Sequence, residues 1–319
     1  MSNDNAVIQN EVNSGGIVGR FFRPSADDIR GAIIVLGGSG GGLGWSGDMA
    51  AQLCAEGYAA LALAYFRWPG LPKKLVGIRL EYVASAIRWL QRTIASAASP
   101  VAIIGASRGT ELALLAASKF SQVRVVVAVA PSSVLWGPDS AIATIMGRPA
   151  WTFGGLALPA MRSPSAWWPP RSAVGVLSSW MFRTPWRNTP LVLKSLQDVD
   201  AAARAAIPVE RITGHVLLIS GGDDQLWPSR QMGEAIIARL RAAGHPFEAR
   251  HLSYDGAGHA VNILKADDAY PALIRHPITG LILSLGGSED ANRKASASAR
   301  AEALAFLGRH LEAEWSERK

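Results

Sequence analysis

The chain contains 319 residues, 49% of them hydrophobic, so it is long enough and apolar enough to bury a substantial core. Its formal net charge is +7 at pH 7, yet the basic residues are scattered, with no basic block, RNA-binding signature or helix-turn-helix pattern. This composition excludes a disordered chain. We expect no nucleic-acid partner, whereas an anionic small molecule is compatible with the charge.

The only cysteine is Cys54, which excludes an intramolecular disulfide and a cysteine-based metal cluster. The first residues lack the apolar core of a secretory signal, and the last four carry no peroxisomal address. No window holds about 18 consecutive apolar residues, which a membrane-spanning helix requires. We therefore expect a cytoplasmic protein without a membrane span.

Short apolar runs alternate with segments of helical period almost throughout the chain, which predicts a mostly parallel sheet flanked by helices. The predicted strands are Ala32–Leu36, Ala59–Tyr65, Val101–Ile104, Val123–Val129, His215–Ser220 and Phe247–Leu252. The predicted helices are Asp48–Glu56, Leu75–Ala95, Arg108–Lys119, Ser229–Ala243 and Asn292–Glu312. In such a fold, functional groups collect at the carboxyl ends of the strands. We predict a flexible tail over residues 1–14 and one domain over residues 15–319.

The first predicted strand runs into the glycine-rich segment Gly37–Gly42. Such a loop can cradle a phosphate, but this one lacks the third glycine of a dinucleotide-binding fingerprint, and no Lys-Ser or Lys-Thr follows for a P-loop. It can instead supply a backbone N–H to an oxyanion hole, with Ser39 and Gly40 as the candidate donors. The pattern favours the second interpretation.

The third predicted strand ends in Gly105-Ala106-Ser107-Arg108-Gly109, and a predicted helix follows. This strand, G-x-S-x-G, helix arrangement is typical of a nucleophile elbow, in which Ser107 stands on a tight turn with its hydroxyl exposed. The backbone N–H of Arg108 is the other candidate oxyanion donor. Because the bare pattern can occur by chance in a glycine-rich chain, its structural context carries the prediction.

Residues 131–190 interrupt the alternation of strands and helices with a segment rich in Trp, Pro and Ser. This segment contains Trp136, Trp151, Trp167, Trp168, Trp180 and Trp186. We predict a cap inserted into the main domain. Its aromatic residues could line an acyl pocket or simply pack onto the domain, and composition does not separate these alternatives, because both require apolar side chains.

A serine hydroxyl is a weak nucleophile, so it requires a base and an acid that orients the base, in the chain order Ser, acid, His on this kind of fold. Two adjacent aspartates follow the fifth predicted strand. We favour Asp224 as the acid because of its spacing from Gly221 and Pro228, and we expect Asp223 to cap the turn. A histidine taken by itself more often has a structural role than a catalytic one. His259, however, follows the sixth predicted strand in a loop of small residues, and this position predicts that it is the base.

Segments around and beyond the elbow resemble the catalytic domain shared by acyl-CoA thioesterases and bile acid-CoA:amino acid N-acyltransferase, a branch of the α/β-hydrolases. The segments that carry this resemblance are Leu36–Leu43, Ala62–Phe66, Leu71–Leu75, Leu80–Tyr82, Thr110–Leu114, Asp223–Ser229, Gly256–His259, Leu285–Gly287, Ala291–Asn292 and Leu304–Leu307. It extends over about residues 15–312. The resemblance implies an α/β-hydrolase fold and an acyl-enzyme formed on Ser107, with Asp224 as acid and His259 as base.

The amino-acid-conjugating members of this family use cysteine as the nucleophile, so serine at position 107 favours hydrolysis. The expected substrate is an acyl thioester, above all an acyl-CoA. The alternatives are a carboxylesterase acting on small hydrophobic esters, an N-acyltransferase, and a non-catalytic binding protein of the same fold. The expected chemistry requires no metal and no cofactor, because the protein groups and water supply it.

Overall fold

The computed structural model describes residues 7–25, 29–94, 99–163, 181–264, 271–275 and 282–316. The strands are β1 (Val7–Ser14), β2 (Ile17–Pro24), β3 (Ala32–Leu36), β4 (Ala59–Ala64), β5 (Ile78–Arg79), β6 (Val101–Ala106), β7 (Val123–Val129), β8 (Trp151–Phe153), β9 (Leu156–Ala157), β10 (His215–Gly221), β11 (Ala249–Tyr254), β12 (Leu273–Arg275) and β13 (Ile282–Ser284).

The helices are α1 (Gly44–Ala55), α2 (Leu80–Thr93), α3 (Arg108–Ala117), α4 (Ala141–Ile145), α5 (Thr189–Leu196), α6 (Val199–Ala205), α7 (Ser229–Ala242), α8 (Glu289–Leu307) and α9 (Ala313–Ser316). A short 3₁₀ turn covers Val209–Arg211, and a π-helical turn covers Gly308–Glu312. No helix in these described ranges is both long enough and apolar enough to cross a membrane.

The described strands form a central sheet in the order β1-β2-β4-β3-β6-β7-β10-β11. Neighbouring strands from β4 to β11 pair in parallel, and β2 pairs antiparallel with both β1 and β4. Every residue of β3 and β4 is buried, as expected for parallel strands that helices cover on both faces. The prediction of a mostly parallel sheet flanked by helices is confirmed.

The order of the strands places a switch point between β3 and β6. From β3 the chain moves to β4 on one side, and it later returns to place β6 on the other side. At such a point the loops that leave two adjacent strands diverge and open a crevice at their carboxyl ends. The glycine-rich loop after β3 and the elbow after β6 therefore lie next to each other.

The prediction of a flexible tail over residues 1–14 is wrong for Val7–Ser14, which form β1. This strand pairs along its whole length with β2, from Val7 opposite Pro24 to Ser14 opposite Ile17. An antiparallel edge strand needs few apolar residues, because one of its faces and one of its edges can meet water. Only Val12 of its last six residues is buried. Because the other residues are exposed, the segment shows no apolar run from which a strand could be predicted.

The predicted cap corresponds to a long excursion of the chain between β7 and β10. It contains α4, α5, α6 and the short strands β8 and β9, and β8 joins β5 to β9 in a small separate sheet. Trp136 and Trp151 are 2% and 1% exposed, so these two tryptophans pack into the interior. Trp186 is partly buried. Three tryptophans of the predicted cap lie outside the described residues: Trp167, Trp168 and Trp180.

Candidate active site

Ser107 occupies the turn between β6 and α3 with a backbone conformation that is rare for a residue with a side chain. Its φ is 51° and its ψ is −120°. A residue other than glycine adopts a positive φ only at a cost in free energy, which the surrounding structure must offset. The turn is held by two backbone hydrogen bonds, from Ser107 N to the Val129 carbonyl (2.9 Å) and from Thr110 N to the Ser107 carbonyl (2.9 Å).

The glycines on either side of Ser107 allow this turn to pack. A Cβ atom added to Gly105 would lie 2.5 Å from the carbonyl oxygen of Gly109. A Cβ added to Gly109 would lie 2.5 Å from the carbonyl oxygens of both Leu36 and Gly37. Because backbone atoms cannot move aside easily, both positions require glycine for steric reasons, as the G-x-S-x-G pattern predicted.

The structure brings Ser107, His259 and Asp224 into one hydrogen-bonded chain. The Nε2 atom of His259 lies 3.1 Å from Oγ of Ser107, and its Nδ1 atom lies 2.9 Å from Oδ2 of Asp224. An ionised carboxylate can only accept hydrogen bonds, so Nδ1 carries the ring hydrogen and Nε2 is left to accept from the serine hydroxyl. The imidazole is thereby oriented to remove the proton from Ser107.

Asp224 is buried and well supplied with donors. Its Oδ1 atom accepts from the backbone N–H groups of Leu226 (3.0 Å) and Trp227 (3.2 Å), and Oδ2 also accepts from the hydroxyl of Ser229 (2.7 Å). Only 1% of its side chain is exposed. These donors fix the carboxylate beneath the imidazole.

Asp223 points away from His259 and closes the neighbouring loop. Its Oδ2 atom accepts from the backbone N–H of Gly287 (2.8 Å), and Oδ1 accepts from the amide side chain of Gln225. The expected role of Asp223 in capping the turn is therefore wrong: it is Oδ1 of Asp224 that accepts from two backbone N–H groups of this turn, whereas the Asp223 carboxylate bonds to the 285–287 segment. Of the two adjacent aspartates, Asp224 is therefore the one that contacts the imidazole.

The loop that carries His259 is fixed by its backbone and by the small residues before it. The backbone N–H of His259 donates to the Leu285 carbonyl (2.7 Å), and the N–H of Gly258 donates to Oδ1 of Asn292 (2.7 Å). A Cβ on Gly258 would lie 2.2 Å from the carbonyl oxygen of Gly286. The loop can pass this close to the 285–287 segment only because position 258 has no side chain.

The start of α3 and the glycine-rich loop after β3, which carry the predicted oxyanion donors, both adjoin Ser107. Arg108 is the first residue of α3, so its backbone N–H has no partner within the helix. In the glycine-rich loop it is Gly38 that lies against the nucleophile, since a Cβ there would be 3.1 Å from Cβ of Ser107. The N–H of Ser39 follows directly from Gly38, whereas a Cβ on Gly40 would meet no atom within 4 Å. The packing favours Ser39 over Gly40 as the second donor.

Sequence reasoning missed a buried ion pair directly behind the elbow. Nη1 of Arg108 lies 2.8 Å from Oε1 of Glu111, and the other Glu111 oxygen accepts from the backbone N–H of Trp136 (2.8 Å) and the indole N–H of Trp151 (3.0 Å). Burial raises the pKa of Glu111 to about 7, against the opposing effect of the Arg108 charge. A carboxylate one turn after the serine, in an otherwise apolar helix, was the available signal.

The acid loop is also tied to the end of the predicted cap. The hydroxyl of Thr189 donates to the Asp224 carbonyl (2.8 Å), and the amide side chain of Asn188 donates to the Leu226 carbonyl (3.0 Å). These residues and Ser229 were not identified as part of the site from the sequence. Ser229 lies five positions after Asp224 at the start of α7, and a hydroxyl at the first turn of a helix was its only signal.

The chain has the α/β-hydrolase fold. This follows from the order of the strands, from the elbow after β6, and from the loops after β10 and β11 that carry Asp224 and His259. The model of the family described as BAAT / Acyl-CoA thioester hydrolase C terminal matches residues 78–155 and 176–313, which is more than half of the chain. The chain belongs to this family.

Three curated relatives that this chain resembles are named either as thioesterases or as an N-acyltransferase. Mouse peroxisomal succinyl-coenzyme A thioesterase is 26% identical over 297 residues, and mouse bile acid-CoA:amino acid N-acyltransferase is 27% identical over 295 residues; each alignment covers 91% of this chain and 62% of the relative. Human acyl-coenzyme A thioesterase 1 is 27% identical over 311 residues, covering 96% of this chain and 66% of the relative. The chain thus spans less than two thirds of the length of these relatives.

Solved structures support the fold. Esterase B from Lactobacillus rhamnosis has a TM-score of 0.52 and 13% identity, with 98% of this chain and 89% of that chain covered. A dienelactone hydrolase-like promiscuous phosphotriesterase from metagenomic libraries has a TM-score of 0.51 and 16% identity, with 93% and 97% covered. At such identities the likeness concerns the fold.

Proposed function

We propose that this chain is a serine hydrolase that cleaves acyl-CoA thioesters. The observation that carries the proposal is the chain of contacts from Ser107 through His259 to Asp224, with heavy-atom distances of 3.1 and 2.9 Å, built on a strained elbow. Membership of a family named for acyl-CoA thioester hydrolysis supports the substrate class. Such a relay serves acyl transfer, because it makes a serine hydroxyl nucleophilic at neutral pH.

In the first half of the proposed reaction, Oγ of Ser107 attacks the thioester carbonyl carbon while Nε2 of His259 takes the hydroxyl proton. Asp224 holds Nδ1–H and stabilises the imidazolium that forms. The carbonyl oxygen becomes negative and receives hydrogen bonds from the backbone N–H of Arg108 and of Ser39. The C–S bond then breaks, the CoA sulfur takes the proton from His259, and CoA leaves as the free thiol.

In the second half, water attacks the acyl-enzyme ester on Ser107. His259 removes a proton from the water and returns it to Oγ of Ser107 as the C–O bond breaks. The products are a carboxylic acid, free CoA and the original enzyme. The atoms and charges of the proposed reaction balance with the enzyme, the thioester and water.

The test is release of free thiol from acyl-CoA substrates of short, medium and long chain. A thiol-reactive dye can follow the product without interference from the protein, because Cys54 is fully buried and burial raises its pKa to about 11. We expect turnover by the unsubstituted enzyme and none by Ser107→Ala. Release of no thiol from any of these substrates would contradict the proposal.

Acyl transfer to an amine is the second candidate, since two of the mouse relatives are named as N-acyltransferases. The same acyl-enzyme would be resolved by an amine instead of water. A product analysis with an amino acid present at high concentration separates the two functions. We expect the free carboxylic acid to dominate, because serine at position 107 favoured hydrolysis; an N-acyl amino acid as the main product would select the transferase.

A further inference from the structure

An open groove of about 390 Å³ lies between the chain segment after β4 and the helix α4. One wall is formed by residues 72–76 and the other by residues 140–148. The side chains that matter here are Lys73, Lys74, Ser140, Ile142, Met146 and Arg148. None of these residues belongs to the hydrogen-bonded chain of Ser107, so the groove requires an explanation of its own.

Three cations line the groove: Lys73, Lys74 and Arg148. Lys73, Lys74 and Arg148 are exposed, and within the described ranges no carboxylate oxygen lies within 4.0 Å of any of them. Among the described residues, the ammonium of Lys74 has a long contact with the hydroxyl of Ser140, at 3.5 Å. Like charges brought together repel one another, so this arrangement favours an anionic ligand.

The groove also exposes large apolar side chains between the cations. Ile142, in the five-residue helix α4, is 67% exposed. Met146, directly after that helix, is 66% exposed. Side chains of this size are usually covered, and an apolar patch with a charged rim is typical of a binding surface. The ligand that fits this combination carries several negative charges on an otherwise organic body.

Both walls of the groove connect to the candidate active site. Before Lys73, the loop is tied to the glycine-rich segment, because Gly42 N donates to the Phe66 carbonyl (3.0 Å) and Arg67 Nη1 donates to the Gly40 carbonyl (3.2 Å). On the other wall, Ser140 follows Asp139, whose carboxylate lies 3.9 Å from Nε of Arg108. Arg108 in turn is adjacent to Ser107.

We propose that this groove binds the phosphorylated nucleotide end of the CoA leaving group. Lys73, Lys74 and Arg148 contact the phosphates, and Ile142 and Met146 contact the uncharged parts of the same moiety. The acyl chain and the thioester then extend toward Ser107. This inference rests on the proposed function, because it assigns a place to part of that substrate.

The test compares hexanoyl-CoA with hexanoyl-N-acetylcysteamine, a thioester with the same acyl chain but no phosphates. In the double variant Lys73→Glu/Lys74→Glu and in Arg148→Glu, we expect KM for hexanoyl-CoA to rise by about tenfold or more, since charge reversal replaces attraction by repulsion. The kcat/KM for the short thioester should stay near that of the unsubstituted enzyme. Arg241→Glu, an exposed charge in the last turn of α7, is the matched control and should change neither substrate.

Calorimetric titration with free CoA keeps this inference separate from the proposed function. If the enzyme hydrolyses no thioester but binds CoA, and the groove variants weaken that binding, the CoA site in the groove is supported and the proposed hydrolase function is refuted. Turnover of both thioesters with an unchanged ratio in the groove variants would refute the groove alone. An equal loss with both thioesters, or a change only in oligomeric state, would also overturn it.

Discussion

At the scale of single residues, the candidate site depends on which way two neighbouring carboxylates point. Asp224 faces the imidazole of His259, and Asp223 faces the 285–287 segment, although the two residues are adjacent in one turn. The order Ser, acid, His and the loop that holds each residue could be predicted from the sequence. Their convergence at hydrogen-bond distance could not, because it depends on loop packing among residues far apart in the chain.

Asp224→Asn should lower kcat for acyl-CoA hydrolysis by about four orders of magnitude, because an amide can donate a hydrogen bond and no longer fixes the imidazole tautomer. Steady-state rates measure this effect. Asp223→Asn is the matched control, since an amide oxygen can still accept from Gly287 N, and its kcat should stay close to the original. A large loss in Asp223→Asn together with normal rates in Asp224→Asn would show that the acid is assigned to the wrong residue.

The proposed oxyanion donors differ in how far the sequence could predict them. The position of Arg108 follows from the elbow, because a residue that begins a helix after the nucleophile has a free backbone N–H. The choice between Ser39 and Gly40 depends on the path of a six-residue loop made almost entirely of glycine. Local sequence does not fix the conformation of such a loop, and only the contact of Gly38 with Ser107 separates the candidates.

At the scale of elements, the strands that helices cover on both faces were predictable and the edge was not. The apolar runs of β3 and β4 are buried at every position, so composition alone identifies them. β1 was missed because its polar residues satisfy an antiparallel pairing that leaves much of the strand in water. The short strands of the excursion between β7 and β10 have two or three residues each, too few to show a period.

Because α3 packs closely against the end of β3 and the loop after it, we predict that adding a methyl group at Gly109 lowers the stability of the fold. Gly109→Ala would place Cβ 2.5 Å from two backbone oxygens, so we expect a loss of about 2 kcal/mol or more in the free energy of unfolding. Denaturant titration measures it. Gly44→Ala, at the exposed start of α1 with no atom within 4 Å of the added Cβ, should be neutral or stabilising by up to about 1 kcal/mol. Equal stability of the two variants would contradict this account of the elbow.

At the scale of the whole molecule, the buried pair of Arg108 and Glu111 links the elbow helix to the excursion that follows β7. Arg108 donates to the Trp136 and Gly137 carbonyls, and Glu111 accepts from Trp136 and Trp151. The two tryptophans therefore have a structural role, as one of the two interpretations of the Trp-rich segment proposed. Because the composition of a packed flap and of an acyl pocket is the same, the sequence could not decide between them.

The raised pKa of Glu111 predicts how stability depends on pH. The folded protein keeps the Glu111 proton up to about pH 7, whereas the unfolded chain loses it near 4.5, so raising the pH between these values favours unfolding through this group. Glu111→Gln cannot titrate. The free energy of unfolding of the original chain minus that of Glu111→Gln should therefore fall as the pH rises from 5 to about 7 and then level off. A difference that grows with pH would mean that the Arg108 charge outweighs burial.

Covalent labelling tests whether Ser107 is the nucleophile of an acyl-transfer reaction. The enzyme is treated with a fluorophosphonate, with and without hexanoyl-CoA, and the labelled peptide is identified by mass spectrometry. We expect one adduct, on the peptide that contains Ser107, with slower labelling when hexanoyl-CoA is present and none in Ser107→Ala. An adduct that persists in Ser107→Ala, or the absence of any adduct on the original chain, would show that Ser107 is not the nucleophile.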